Sequence, residues 1–423
     1  MSFKFIHAAD LHLDSPLLGL SKYPGAPDEL ARGATRRALE KLVDLAIAEQ
    51  VAFVLIAGDV YDGDWKDYNT GVFFSAQMSR LNEALIDVYL IRGNHDASSQ
   101  ISRELKLPKN VHELSHKHPE TIVIPHLNLA IHGQGFATQA VTHDIASSYP
   151  SAKTDLFNIG ILHTSASGYA GHENYAPCSV TTLISKGYDY WALGHVHQFK
   201  ILCESPYIVF SGNTQGRNIR ETGVKGCVLV TADHGQVSSV QHIRLDTMQW
   251  LLADLDVTDT QDIDQVVARV VRYLRHEVFS FDALTLIAVR VILSGACFAH
   301  AAMVSDEDRL LAELRSALSE EFGGRVWLER LKIRTRPNID IDAVADRDDP
   351  IGRLVRSVRD AASDSLLLEE LLSQFSDLKD RLPSVLTYSD SGLDLTSVDA
   401  ITSRLPDVER DLASYLLTDE SVL

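Results

Sequence analysis

The sequence predicts an α/β protein: a layered β-sandwich flanked by helices, then a small α/β unit, then a helical C-terminal segment. Three observations carry this. Apolar strand-like runs alternate with amphipathic helical stretches through residues 1–245. A β-α-β-α-β pattern fills residues 246–340. From 341 to 423 the periodicity is helical. At 423 residues the chain exceeds one ordinary domain, and these three sections are the expected domains.

Each element has a local reason. Phe3–Ala9 alternates as a strand should. Leu30–Gln50 carries Leu39, Leu42, Val43 and Ala46 on one helical stripe and leads into the buried-type strand Val51–Ala57. Thr70–Ala84 reads as a second helix, ahead of strand Val88–Ile91. Further strands are expected at Leu129–His132, Asn158–His163, Tyr188–Leu193, Tyr207–Ser211 and Cys227–Thr231. In the second section, strands Trp250–Val257, Leu284–Leu293 and Arg325–Arg334 enclose helices Asp262–His276 and Asp306–Phe322, each opening on an Asp suited to cap it. The last section follows the acidic turn Asp346–Pro350 with helices Ile351–Ala362, Leu366–Asp380 and Val408–Leu417. The apolar face of Leu366, Leu367, Leu368, Leu371 and Leu372 either packs on its own domain or docks a partner.

Bulk properties exclude several classes. Cys178, Cys203, Cys227 and Cys297 stand far apart with no CxxC pair, which argues against a zinc ribbon or a disulfide framework and fits a reducing cytosol. The start, MSFKFIHAADLHLDSP, does not read as a signal peptide, and no run of about 18 apolar residues predicts a membrane span. A cytoplasmic, nucleoid-associated location is the expectation. The net charge of −19 is uneven: residues 1–245 hold 20 Lys+Arg against 24 Asp+Glu, and the remainder holds 19 against 34. That average disfavours the C-terminal part as a nucleic-acid grip.

The chemistry lies in five short segments, each following an apolar run: Asp10-Leu-His12, Gly58-Asp-Val-Tyr-Asp62, Gly93-Asn-His-Asp96, His163-Thr164 and Gly194-His-Val-His197. Strand carboxyl ends are where α/β folds place their sites. The segments supply carboxylate, amide and imidazole donors without a thiolate, a set that suits Mn²⁺, Fe²⁺ or Zn²⁺ better than Ca²⁺. Asp59, after a glycine at a strand end, is placed to bridge two ions. Asp62 is either a support for the Asp59 loop or a helix-start acid. Any one segment is weak alone; all five in order, each after a strand, make a metal-dependent hydrolase the expected class.

The order and wording of these segments resemble the calcineurin-like metallophosphoesterase superfamily over residues 1–245. The resemblance implies a four-layer β-sandwich flanked by helices, with a small α/β capping domain and a helical tail. It implies one metal held by Asp10, His12, Asp59 and His197, and a second by Asp59, Asn94, His163 and His195, with Mn²⁺ the first choice. It makes His95 the catalytic histidine beside the leaving group, with Asp96 orienting it.

Three further stretches, His7–Pro16, His163–Cys178 and Ser211–Gly226, with the Asp349–Gly352 turn, are similar to the SbcD-type DNA repair nucleases and more closely to their YhaO-type members. That branch implies a DNA exonuclease or endonuclease, a homodimer, and an SbcC/YhaN-like coiled-coil ATPase partner that docks on residues 341–423. No GxxxxGK[ST] loop is present, so ATP-driven gating would come from another chain. Arg217 and Arg220 are candidate DNA-backbone contacts, the plain alternative being pairing with Glu221 or another local acid. His172, in the long loop after His163, is a further candidate contact or an ordinary exposed loop residue. Two other readings remain: a small-molecule phosphodiesterase or phosphatase, and an assembly subunit of an ATPase complex with weak nuclease activity.

Overall fold

A computed structural model describes residues 2–15, 33–62, 68–98, 106–166, 175–279, 281–379 and 397–420. The first apolar run forms β1 (Ser2–Ala8), which lies between two kinds of neighbour. On one side it pairs in parallel with β2 (Phe53–Ile56), followed by β3 (Asp87–Leu90) and β4 (Val111–Glu113). On the other it pairs antiparallel with β11 (Gly226–Asp233), which pairs with β12 (Gln236–Arg244). The sheet order is β12-β11-β1-β2-β3-β4.

A second six-stranded sheet follows the order β5-β6-β7-β8-β10-β9. Its strands are β5 (Glu120–Ile124), β6 (Leu129–Gly133), β7 (Phe157–His163), β8 (Tyr190–Gly194), β9 (Lys200–Glu204) and β10 (Tyr207–Phe210). The interior strands β6, β7, β8 and β10 run parallel. Every residue of β2 and β7 is buried, which explains their unbroken apolar sequences: a parallel strand covered on both faces needs no alternation.

The layers follow from three cores. Phe5, Phe53, Leu55 and Tyr89 of the first sheet meet Ile131, Ile159, Ile161 and Tyr190 of the second. The other face of the first sheet packs Ile6, Val54 and Val88 against helices α1 (Ala34–Ala48) and α2 (Tyr68–Glu83). The other face of the second sheet buries Leu162, Trp191 and Leu193 with Leu183, a residue of the short helix α4 (Val180–Ser185); α3 is Asn94–Ser98. The result is helix, sheet, sheet, helix, the α/β sandwich the sequence implied.

Downstream, β13 (Met248–Asp256), β14 (Leu286–Cys297) and β15 (Val326–Pro337) form a three-stranded sheet in that order. They alternate with α5 (Ile263–Val278) and with α6 (His300–Ser305) plus α7 (Glu307–Phe322). Asp262 and Asp306 do cap α5 and α7, accepting from the backbone N–H groups of Gln265 and Arg309. The tail forms α8 (Ile341–Ala345), α9 (Pro350–Ala361), α10 (Ser365–Lys379), α11 (Val398–Thr402) and α12 (Leu405–Glu420). Asp349 caps α9 with Pro350 at its first turn, and Arg359 ties α9 to Glu409 and Asp342.

By internal packing the chain divides into two compact units. One is Met1–Leu252 with Asp282–Arg290 and Arg325–Glu329; the other is Ala253–Phe281, Val291–Gly324 and Arg330–Leu423. Among the described residues no helix is long and apolar enough to cross a membrane.

Candidate metal centre

Three of the five segments leave their strands in unusual backbone conformations. Asp10, His12, Asp59 and His195 have φ of +52°, +41°, +56° and +97°. The left-handed region costs a residue with a Cβ on the order of 1–3 kcal/mol, so four such residues at one locus mark a place where side-chain direction outweighs backbone comfort. Backbone pairing continues past the strands to hold these turns: Asp10 N–H donates to Gly58 O and His12 N–H to Asp59 O, both at 3.0 Å. Two glycines make room. Gly58 has φ +94°, and a Cβ there would lie 2.6 Å from His163 Nδ1; a Cβ on Gly93 would collide with the Asp59 carboxylate.

The donors converge. Asp10, His12 and His197 form one group whose ligand atoms all lie within 4.8 Å of one another; Asp10, Asp59 and His163 form a second, and His12, Asp62 and His95 a third. His12 Nε2 lies 3.2 Å from His197 Nε2 and 3.9 Å from Asp59 Oδ2. His163 Nε2 lies 3.4 Å from Asp59 Oδ2 and 2.9 Å from Asn94 Oδ1. His163 Nδ1 sits 2.9 Å from Ala57 O, so that nitrogen carries the proton and Nε2 is left as a lone-pair donor facing Asp59 and Asn94. His195 enters differently. Its backbone N–H donates to the Asp10 carboxylate at 2.9 Å, and its ring stands edge-on to His163 at 5.2 Å between centroids.

Electrostatics shows why this cluster fits divalent cations. Asp10 and Asp59 are each 1% exposed. Burial, and for Asp10 the charge of Asp59, push both carboxyls above their ordinary range. Burial lowers His12, His163 and His197, His163 to about 3, so all three are neutral and offer lone pairs. Buried carboxylates facing unprotonated imidazoles, with ring nitrogens 3.2 Å apart, are a donor set lacking only positive charge.

Around this set the structure departs from the expectation at Asp96. Its carboxylate accepts from the backbone N–H groups of Val60, Tyr61 and Gly93, bracing the turns after β2 and β3. Burial and the nearby Asp59 push it up to about 7. The carboxylate on the His95 ring is instead that of Asp62, 3.1 Å from Nδ1. Asp62 also accepts from Ser15 Oγ at 2.7 Å and lies 3.4 Å from His12 Nδ1. Burial alone would lower His95; the Asp62 bond and the charges of Asp59 and Asp62 reverse this and raise it.

Arg217 takes the plain alternative. Its guanidinium lies 3.3 Å from Asp62 and 3.5 Å from Glu221, and its backbone N–H donates to Glu221 at 2.8 Å, so it is engaged with local acids at the rim of the cluster. Arg220 is exposed, with its backbone N–H on Asn218. His172 lies outside the described residues.

Sequence reading missed Glu221 as a site residue. It lies 2.9 Å from His197 Nδ1 and also accepts from Asn213 Nδ2, which fixes the ring with Nε2 toward Asp10 and His12. Burial would raise Glu221, but its bond to His197 and the Arg217 charge hold it below the usual carboxylate range. No local pattern announces such a contact; only the fold brings residue 221 to residue 197.

The chain is similar to several known proteins. Residues 3–199 match the calcineurin-like phosphoesterase family, and residues 250–336 match the middle domain of metallophosphoesterase YhaO. Metallophosphoesterase YhaO of Bacillus subtilis (strain 168) is 37% identical over 263 residues, which span 61% of this chain and 64% of that protein, less than two thirds of its length. A crystal structure of a dimetal phosphatase from Danio rerio aligns with 57% of this chain and 97% of its own at 12% identity, with a TM-score of 0.32.

Proposed function

We propose, from the premise that the chain belongs to the calcineurin-like metallophosphoesterases and carries a YhaO-type middle domain, that it hydrolyses phosphodiester bonds of DNA with two divalent metals, Mn²⁺ foremost. The observation that carries this is the overlap of three donor groups through Asp10 and His12, with Asp59 Oδ2 lying 3.9 Å from His12 Nε2 and 3.4 Å from His163 Nε2, a layout that suits two adjacent ions. Asp10, His12, Asp59 and His197 would hold one ion; Asp59, Asn94, His163 and His195 would hold the other. When bound, the ions supply an activated water and neutralise phosphate charge.

The remaining steps belong to the chain. Asp62 keeps the proton of His95 Nδ1 in place and stabilises the imidazolium, so Nε2 can deliver its proton to the leaving oxygen. Glu221 and the Ala57 carbonyl fix the tautomers of His197 and His163. Asp96 locks the turn that carries Asn94 and His95. Arg217, already balanced by Asp62 and Glu221, sets the field at the rim.

The nuclease reading includes a homodimer and a coiled-coil ATPase partner bound through the tail, where Leu366 and Tyr415 are 77% and 72% exposed. The test is cleavage of end-labelled single- and double-stranded DNA by the purified chain with Mn²⁺, beside EDTA and His95→Ala controls. Cleavage that requires metal and His95 supports the reading. Hydrolysis of bis-p-nitrophenyl phosphate without DNA cleavage points to a smaller phosphodiester. Inactivity on both, with metal bound, overturns it.

A further inference from the structure

The last strand of the three-stranded sheet carries a charge pattern that the chain's average conceals. Along β15, Arg330, Lys332, Arg334 and Arg336 occupy every second position, with no acid among residues 330–336. Arg330, Arg334 and Arg336 are exposed and Lys332 is half-buried. The intervening positions turn the other way: Leu331 is 7% exposed, and Thr335 Oγ1 lies 2.9 Å from His300 of α6. Alternate residues of a strand share a face, so the four cations form one row. β15 is an outer strand of its sheet. Among the described residues none of the four makes an ion pair, whereas Arg275, Arg309, Arg347 and Arg359 in the same compact unit each do.

Four like charges along one strand repel one another, and an anion laid along the row would relieve that repulsion. Its repeat is about 6.6 Å, twice the strand rise, and its length about 20 Å. That repeat is comparable to the spacing of successive phosphates along an extended nucleic-acid strand. The four positions offer no aromatic ring on which a base could stack, and their even spacing suits contact to phosphate, independent of sequence.

We infer that the Arg330–Lys332–Arg334–Arg336 row of β15 is a binding track for the sugar-phosphate backbone of a single nucleic-acid strand. The inference deepens the nuclease reading by giving an acidic chain a place to hold its polymer, and it rests on that reading only for the identity of the polymer. Three arginines of the four suit the task, since the guanidinium is weakly hydrated and pairs two phosphate oxygens at once.

The experiment replaces all four by glutamine in the full chain, with a second variant in which the three arginines become lysine. Binding of a fluorescent single-stranded oligonucleotide is read by anisotropy over a salt series. Each phosphate contact on a single strand contributes about 0.7 to the slope of log affinity against log salt, so the glutamine variant should lose about 3 from that slope and bind at least about tenfold more weakly. The lysine variant should keep most of the slope. Hydrolysis of bis-p-nitrophenyl phosphate should stay at the parent level in both, because no residue of the row belongs to the metal cluster. That assay separates the two readings: a parent that binds the oligonucleotide through the row but hydrolyses nothing retains the track and loses the hydrolase. Unchanged affinity and slope in the glutamine variant overturn the track. So does a parent that fails to bind at low ionic strength, or a variant that loses an acidic peptide while holding the oligonucleotide like the parent.

Discussion

The metal cluster and the β15 row are built by opposite means. The cluster draws its residues from five segments between Asp10 and His197, buries Asp10, His12, Asp59 and His163 fully, and holds four residues in left-handed backbone at strand ends. The row draws four residues from one strand and leaves its three arginines open to water. A buried site must be positioned by the whole fold and tolerates little change. An exposed row needs only the strand's own two-residue period. Damage to the first should therefore be steep and specific, while damage to the second should be graded and sensitive to salt.

The sharpest way to break this contrast is Asp59→Ala. Asp59 lies between His12 and His163, so its loss should abolish tight metal binding and lower phosphodiester hydrolysis by on the order of 10³ or more. Metal stoichiometry and turnover check it; a variant that keeps both would show that the cluster does not work as one site. Next is Gly93→Ala, which removes no ligand. Its methyl group would press on Asp59. Overpacking of this kind costs about 1–3 kcal/mol, and metal affinity should fall with stability.

Asp62→Asn sharpens the comparison from inside the site. Metal binding should persist while turnover falls about 10- to 100-fold, the usual penalty for losing a partner that orients a working histidine. Its pH profile carries a sign. His95 is raised, so it stays protonated to higher pH than an ordinary histidine, and the acid role proposed for it would fade as pH rises through that raised value. Removing the Asp62 charge lowers His95, and the alkaline limb of the profile should move toward acid. An unmoved limb would assign it to another group.

A change in stability alone is expected from ion pairs that belong to neither the metal cluster nor the row. Glu329 is 4% exposed and accepts two bonds from Arg290, at 2.6 and 2.8 Å. Glu329→Ala strands a half-buried guanidinium and should cost about 3 kcal/mol in chemical denaturation. The exposed Arg275–Glu321 pair on α5 and α7 should give no resolvable change when Glu321 becomes Ala.

The sequence was most readable where chemistry and periodicity coincide. The five segments could be picked out because each stands after a continuous apolar run, and those runs became β1, β2, β3, β7 and β8. Asp262 and Asp306 announced α5 and α7 because a capping side chain acts on the residues beside it. What stayed hidden depends on distance along the chain. Asp62 reaches His95 and Arg217, and Glu221 reaches His197, only after two sheets have packed. The resemblance paired Asp96 with His95, its neighbour in sequence, yet in a helical turn adjacent residues point apart, and its carboxylate turned to backbone N–H groups instead. The β15 row was hidden by averaging: a section holding 19 basic against 34 acidic residues reads as unfit for a polyanion until one strand is taken alone. The edge strands β4, β5, β9 and β12, short or polar on one side, gave too little pattern to be expected.

The burial of Asp10 and Asp59 side by side reaches beyond catalysis. With no cation between them, two carboxyl groups out of contact with water repel each other or must take up a proton, and either way the folded chain is less secure. Ions that bind the folded form alone draw the population toward it by mass action, more so as their concentration rises. The lifetime of this protein against proteases in a cell should therefore follow the supply of the metal proposed for it, and a shortage of that ion would remove the protein as well as silence its proposed activity.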